Sequence, residues 1–278
     1  MRDINLSLLR IIFWNVNKKD LTKLLCSMVP STNADVVVLN ENRVTSQEML
    51  KALQCDISQD FYRPQHISEE RFHCFCQSPH FDLSEIYAGS RISVRNLQIG
   101  THKVLLALVH GLDVRNYDLE SRQSFIESLA SDMRLISEQQ GINKLILLGD
   151  FNMNPYERVM NLATGLNSMM TRACVERKHR QHLGIDYDLY YNPMWSLFGD
   201  RTDGPAGTIY DTSNQGPYGW SMFDQVIVHH SVVELFHNVQ ILTEAGVTSL
   251  MTRKGHPDKK KSSDHFPILV TLGENKDE

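Results

Sequence analysis

Short apolar runs that break off into acids, amides or histidine recur along this chain, and they restrict its fold more than any other feature. Lys144-Leu-Ile-Leu-Leu148 leads into Gly149-Asp150-Phe151-Asn152 and then Asn154-Pro155. Leu8 to Trp14 leads into Asn15-Val16-Asn17, and Asp35-Val-Val-Val-Leu39 into Asn40-Glu41-Asn42. Val104 to His110 is a further run, ending on histidine. Toward the C-terminus, Phe223-Asp224-Gln225-Val-Ile-Val228 carries an acid, and Ser262-Ser263-Asp264-His265 leads into Phe266-Pro267-Ile-Leu-Val-Thr271. Runs this short, bounded by turn residues, suit buried strands. The end of a buried strand is where side chains meet a ligand while the sheet behind holds them rigid. A lone Gly-Asp-x-Asn is as readily an ordinary turn; its repetition as a pattern points to chemistry.

Leu21, Leu24, Leu25 and Met28 follow helical spacing, as do Phe125, Ile126, Leu129, Met133 and Ile136 within about 120–140. The expectation is a mixed α and β chain with helices covering sheet. No Pro/Gly/Ser linker divides the 278 residues, so residues 1–278 are read as a single catalytic domain. The longest irregular stretch, about 177–221, holds Tyr187, Tyr190, Tyr191, Trp195, Phe198, Tyr210, Tyr218 and Trp220. It lies between Asn152 and Asp224 in sequence, where its aromatics either stack on bases or pack on their own scaffold.

A net charge of −5 argues against a protein that coats nucleic acid nonspecifically. A local basic rim would suffice for a nuclease, and two clusters offer one: Arg177, Lys178, His179 and Arg180, and Arg253, Lys254, His256 with Lys259 to Lys261. The five cysteines, an odd number without repeated spacing, read as reduced thiols of an intracellular chain. Cys74-x-Cys76 with His66, His73 and His80 nearby fits no standard zinc spacing. The chain begins almost directly on its first strand and shows neither signal peptide nor membrane span. A cytoplasmic protein is therefore expected, with no membrane association, no protein partner predicted, and a frayed acidic end from Gly273 to Glu278.

Five motifs occur in order: Trp-Asn-Val-Asn at 14–17, Leu-Asn-Glu at 39–41, Gly-Asp-Phe-Asn at 149–152, Asp224, and Ser-Asp-His-x-Pro at 263–267. In this the chain resembles the endonuclease/exonuclease/phosphatase family, the Mg²⁺-dependent phosphoesterases that include AP endonucleases, DNase I and sphingomyelinases, over residues 9 to 271. The resemblance implies an α+β fold, a four-layer α/β/β/α sandwich of two mostly antiparallel sheets (DNase I-like), with the site at one sheet edge. It implies Glu41 as the principal metal ligand, with Asn15 and Asp264 completing the metal environment. Asp150 and Asn152 match the pair that orients the attacking water and contacts the phosphate, His265 the catalytic histidine, and Asp224 the acid that orients it. His110 resembles the histidine that DNase I-like members place beside the scissile phosphate. Asn17 stands where many AP endonucleases carry Asp, and with Trp220 it is assigned to substrate binding. Tyr87-Ala-Gly-Ser-Arg91 is a poor version of the family's Gly-rich strand.

Phosphodiester hydrolysis brings water to a group already negative and builds more charge on the leaving oxygen, so these residue types suit it. Oxygen donors such as Glu41, Asp264 and an amide suit Mg²⁺, with Mn²⁺ as the alternative ion, whereas zinc would call for His and Cys. An acid bonded to a histidine fixes its tautomer and raises its pKa, the relation expected of Asp224 and His265. Ionised Asp150 can take the proton of the water. Three readings stay open on the motifs: a nuclease cutting DNA or RNA, a phosphatase or phosphodiesterase acting on a small phosphorylated molecule or lipid headgroup, and a noncatalytic module that has kept the fold. Intact Glu41, Asp150, Asn152, Asp224 and His265 weigh against the last.

Overall fold

The computed structural model describes residues 8–57, 60–67, 71–77, 81–211 and 219–274. Strands β1 (Leu9–Asn15), β2 (Val36–Asn40) and β3 (Phe72–Cys76) begin the first sheet, separated by helices α1 (Thr22–Thr32) and α2 (Ser46–Ile57). β4 (Glu85–Ala88), β5 (Ile92–Ile99) and β6 (His102–His110) open the second, followed by α3 (Leu119–Gln140) and β7 (Leu145–Asp150). Short elements follow: α4 (Arg158–Asn161), β8 (Ser168–Met169), α5 (Arg172–Val175), the hairpin of β9 (His179–His182) and β10 (Ile185–Asp188), β11 (Tyr190–Tyr191), β12 (Ile209–Tyr210) and β13 (Trp220–Ser221). The chain closes with β14 (Asp224–His229), β15 (Phe236–Ile241), the small hairpin of β16 (Glu244–Ala245) and β17 (Thr248–Ser249), and β18 (Ile268–Leu272).

One five-stranded sheet has the order β15-β18-β1-β2-β3, and one seven-stranded sheet the order β4-β5-β6-β7-β14-β11-β8. Among the described residues only β1/β2, β6/β7 and β8/β11 are parallel pairs. The alternation of strand side chains sorts the core. In β1, Ile11 and Phe13 join Val36, Val38, Leu106, Leu148 and Val226 between the two sheets. Their neighbours Ile12 and Trp14 face outward onto Leu25, Met28, Met49 and Leu53 of α1 and α2. On the far side Ala107, Leu147 and Ile227 face Ile126, Leu129 and Met133 of α3. The result is the expected four-layer α/β/β/α sandwich. Both helices read from spacing are present, and α3 has its stops in sequence: Asp118 accepts from the Ser121 amide, and Gly141 takes φ 64° at the C-terminus.

Cys74 and Cys76 point into the layer between the sheets, while His73 lies on the opposite face beside Asn42, so no zinc site forms from them; His80 falls outside the described residues. None of the five cysteines is in a disulfide. Among the described residues no helix is long and apolar enough to cross a membrane. The acidic end is less frayed than expected at its start, because Glu274 accepts from the Thr101 amide at 2.8 Å and hydroxyl at 2.9 Å; residues 275–278 are outside the described set.

Parallel β6 and β7 approach closely where Val109 pairs with Gly149, and a Cβ on Gly149 would stand 2.0 Å from the Val109 carbonyl oxygen. Gly149→Ala is expected to lower unfolding free energy by about 3 kcal/mol, through backbone displacement at the strand end. Urea unfolding measures this, and unchanged stability would show that the strand spacing yields.

Candidate active site

The strand directions bring the sequence motifs to one edge. Parallel β1 and β2 end side by side at Asn15 and Asn40, with Glu41 next in chain. Parallel β6 and β7 end at the paired His110 and Asp150, and antiparallel β14 starts at Asp224 opposite Asp150. Antiparallel β18 is entered through His265 at the same edge. Because the sheets lie face to face, groups from both converge: Asn15 Nδ2 donates to Asp150 Oδ2 at 3.0 Å and to Glu41 Oε1 at 3.3 Å.

The loops that hold these groups are backbone-strained and cross-tied. Asn17, Glu41 and Asn152 have φ of 46°, 52° and 52°, a left-handed region unusual for non-glycine residues. Asn15 Oδ1 accepts from the Asn17 amide at 3.0 Å, and Asp150 Oδ1 from the Asn152 amide at 3.0 Å. Asn152 Nδ2 donates to the Gly111 carbonyl, and Arg122 Nη1 to the Asn152 carbonyl. Ser263 Oγ donates to the Asn15 carbonyl at 2.6 Å and accepts from the His265 amide at 3.2 Å, and Trp14 Nε1 donates to the His265 carbonyl.

His265 Nδ1 lies 2.8 Å from Asp224 Oδ2, and its Nε2 3.9 Å from Asp150 Oδ2. Burial alone would discharge the imidazole, but Asp224, by charge and hydrogen bond, then Asp150 and Asp264, outweigh it and raise the pKa to about 10. Burial pushes Asp150 up to about 6, opposed by His265 and assisted by Asp224. His110 behaves oppositely. Burial first, then the charges of Arg71, Arg91 and His265, lower it to about 3, so its ring is neutral. Arg71 Nη1 can only donate, at 3.1 Å, so His110 Nδ1 accepts and Nε2 carries the proton, facing Glu41 Oε1 at 3.5 Å.

Asp264 is half-buried beside His265; among the described residues no hydrogen bond or ion pair joins it to Glu41. Trp220 comes near the site through its neighbours. It stacks on Phe266, with ring centroids 6.4 Å apart, and meets Tyr210 and His256 edge-on, while Ile209 bridges to His265. The stretch 177–221 is therefore less irregular than its composition suggests, since β9 to β13 run through it and Tyr187, Tyr191 and Phe198 pack on the scaffold; Tyr218 lies outside the described residues. Of the two basic clusters, the one around His256 stands on the side of His265, against Tyr210. Arg177 to Arg180 run into the β9–β10 hairpin, at the other end of β14.

Sequence reasoning missed Arg71, and Arg91 was seen only as the end of a poor motif. Arg91 Nη1 donates to the Gly111 carbonyl at 2.9 Å and so fastens the turn after His110. Arg71 precedes β3 without any periodic or motif signal, and only the fold carries it to His110. Ser263 was legible, within Ser-Asp-His, but its tie to Asn15 was not.

Glu41, Asp150 and Asp264 with the amides of Asn15 and Asn152 make an oxygen-rich edge. One amide nitrogen stands between the carboxylates of Glu41 and Asp150, holding like charges close together. That donor chemistry fits a hard divalent cation. A group formed by Asp150, Asp224 and His265 also brings ligand atoms within 4.8 Å of one another, but His265 already bonds Asp224 there.

The family model described as "Endonuclease/Exonuclease/phosphatase family" matches residues 12–265. A search of curated proteins returns no match to this sequence. Among solved structures, truncated TDP2 from Caenorhabditis elegans is 17% identical, with 95% of this chain and 97% of that one covered and a TM-score of 0.56. D. rerio TDP2 complexed with single strand DNA product is 15% identical, with 97% and 100% covered and a TM-score of 0.56. The endonuclease domain of TRAS1, a telomere-specific non-LTR retrotransposon, is 14% identical, with 95% and 98% covered and a TM-score of 0.55. At these identities the likeness is one of fold.

Proposed function

Since this chain belongs to the endonuclease/exonuclease/phosphatase family, we propose that it is a Mg²⁺-dependent phosphodiester hydrolase whose substrate is DNA or RNA. The observation that carries this reading is the convergence of Asp150 on Asn15, Glu41's neighbour, on one side and on the charged His265–Asp224 pair on the other. Glu41 and Asp264 would hold the cation, with Asn15 orienting Glu41 and Asp150 through one amide. Bound there, the cation supplies positive charge to the phosphoryl and leaving oxygens. Asp150 takes the proton of the attacking water, and Asn152 positions the phosphate beside it. His265 stays protonated and donates from Nε2 to a phosphoryl oxygen as charge builds. His110, locked neutral, donates from Nε2. Arg71 adds a cation beside it. Asn17 and Trp220 flank the strand of substrate.

The nucleic acid reading draws on two similar folds, one seen with a single-strand DNA product and one belonging to an endonuclease domain. The test is incubation with single-stranded DNA, duplex DNA, an abasic-site duplex and RNA, with Mg²⁺ or EDTA, beside Glu41→Gln. Mg²⁺-dependent cleavage that the variant lacks is expected. Hydrolysis of small phosphoesters alone would transfer the same residues to the phosphatase reading.

The titration of Asp150 sets a pH limb. Its pKa is raised, so the ionised base is lost as pH falls through about 6 rather than through the usual carboxylate range near 4. A cation held at the adjacent Glu41 edge would favour the ionised carboxylate, so the acid limb of log kcat/KM should keep unit slope and move to lower pH as Mg²⁺ is raised. An acid limb that stays at the same pH from limiting to saturating Mg²⁺ would remove Asp150 as the base.

A further inference from the structure

Five residue steps along β14 from Asp224, about 17 Å away, the strand ends at His229 and runs on into His230. The β9–β10 hairpin docks at this far end, with His179 paired in register to Asp188. Asp188 Oδ1 lies 2.9 Å from His179 Nδ1 and 3.5 Å from His230 Nε2. We propose that His179, Asp188 and His230 form a second metal site, for a borderline transition ion such as zinc, which clips the β9–β10 hairpin to the end of β14.

The donor spacing fits. A tetrahedral zinc with bonds of about 2.0–2.1 Å sets its ligand atoms about 3.3 Å apart, and the two separations bracket that value. All three ligand atoms lie within 4.8 Å of one another. The donor type also differs from the catalytic edge, since two imidazoles with one carboxylate suit zinc, copper or nickel, and an oxygen-only set suits magnesium.

His229 supplies the independent observation. Its Nδ1 accepts from the Ser231 amide at 3.2 Å, so the ring proton resides on Nε2. That Nε2 faces Asp188 Oδ2 at 3.3 Å from a fully enclosed ring. A buried donor therefore occupies one carboxylate oxygen and leaves Oδ1 turned to His179 and His230, the outer-sphere arrangement that orients a ligating carboxylate. Asp188 and His179 are 39% and 49% exposed, so water has access to the fourth position.

The test is zinc titration of the chelator-treated full chain in saturating Mg²⁺, read by metal analysis after desalting, by the visible spectrum of the Co²⁺ form, and by thermal unfolding. One zinc per chain is expected, with a four-coordinate Co²⁺ spectrum and a Tm raised by zinc. His179→Ala, at a surface position and checked for folding by circular dichroism, should weaken zinc at least about a hundredfold and abolish the Tm response. Ser231→Ala, which removes the Oγ contacts to His229 Nδ1 at 2.7 Å and to the Asn143 carbonyl at 3.2 Å, should weaken it by up to about tenfold. A wild-type chain that binds no zinc overturns the proposal, as does wild-type affinity retained in both His179→Ala and Asp188→Asn.

Discussion

His265→Ala is expected to lower kcat by roughly two to three orders of magnitude at saturating Mg²⁺, the usual cost of one preorganised donor to developing charge. The structure makes this donor unusually fixed. Its Nδ1 is held by an acid with no solvent exposure, its backbone amide by Ser263, and its carbonyl by the Trp14 indole. The same burial gives the variant a second effect. Among the described residues Asp224 Oδ1 has no hydrogen-bond partner, so loss of His265 strips the carboxylate of the positive charge bonded to it. Breaking a buried pair this way costs about 3–5 kcal/mol. Stability and catalysis can be separated with His265→Ala/Asp224→Asn, which should recover much of the lost stability and none of the lost rate. Steady-state kinetics beside urea unfolding decide the matter. A double variant that regained turnover would place the role of His265 in folding alone.

Glu41→Gln should act through the cation. The amide keeps the shape of the side chain, and glutamine tolerates the φ of 52° no worse than glutamate. What disappears is a full negative charge at an edge where Mg²⁺ is typically held by only one or two carboxylates. The Mg²⁺ concentration for half-maximal activity should rise by at least about tenfold, and the rate at saturating substrate and ordinary Mg²⁺ should fall by about a hundredfold. Titrating activity against Mg²⁺ in both proteins measures it, with Mn²⁺ as a tighter-binding rescue ion. If the variant's Mg²⁺ curve overlaid that of the wild type, Glu41 would not be a ligand. The two predictions differ in kind: His265→Ala should leave the Mg²⁺ curve in place while lowering its plateau.

Much of this was legible one residue at a time. A short apolar run that stops at Asn15, Glu41, His110 or Asp150 announces both a buried strand and what stands at its end, because strand length and side-chain alternation are local properties. The apolar spacing of α3 and its Asp118 and Gly141 stops are local too. The stretch 177–221 misled by composition: two-residue strands such as β11 and β12 are held by their partners in the sheet, with no run long enough to show a period.

The sequence by itself determined which residue types end each strand and the order of the motifs, and through the family resemblance of those motifs it implied the four layers. The tertiary structure alone decided which of those ends meet. Parallel pairing of β1 with β2 and of β6 with β7, and antiparallel return of β14 and β18, put Asn15, Glu41, His110, Asp150, Asp224 and His265 on one edge. It also decided protonation. His110 and His265 are the same residue type with the same intrinsic pKa, yet one faces arginines and the other faces carboxylates, and burial magnifies that difference by removing the water that would screen it. Charge state depends on neighbours distant in sequence, so no reading of the chain in one dimension contains it.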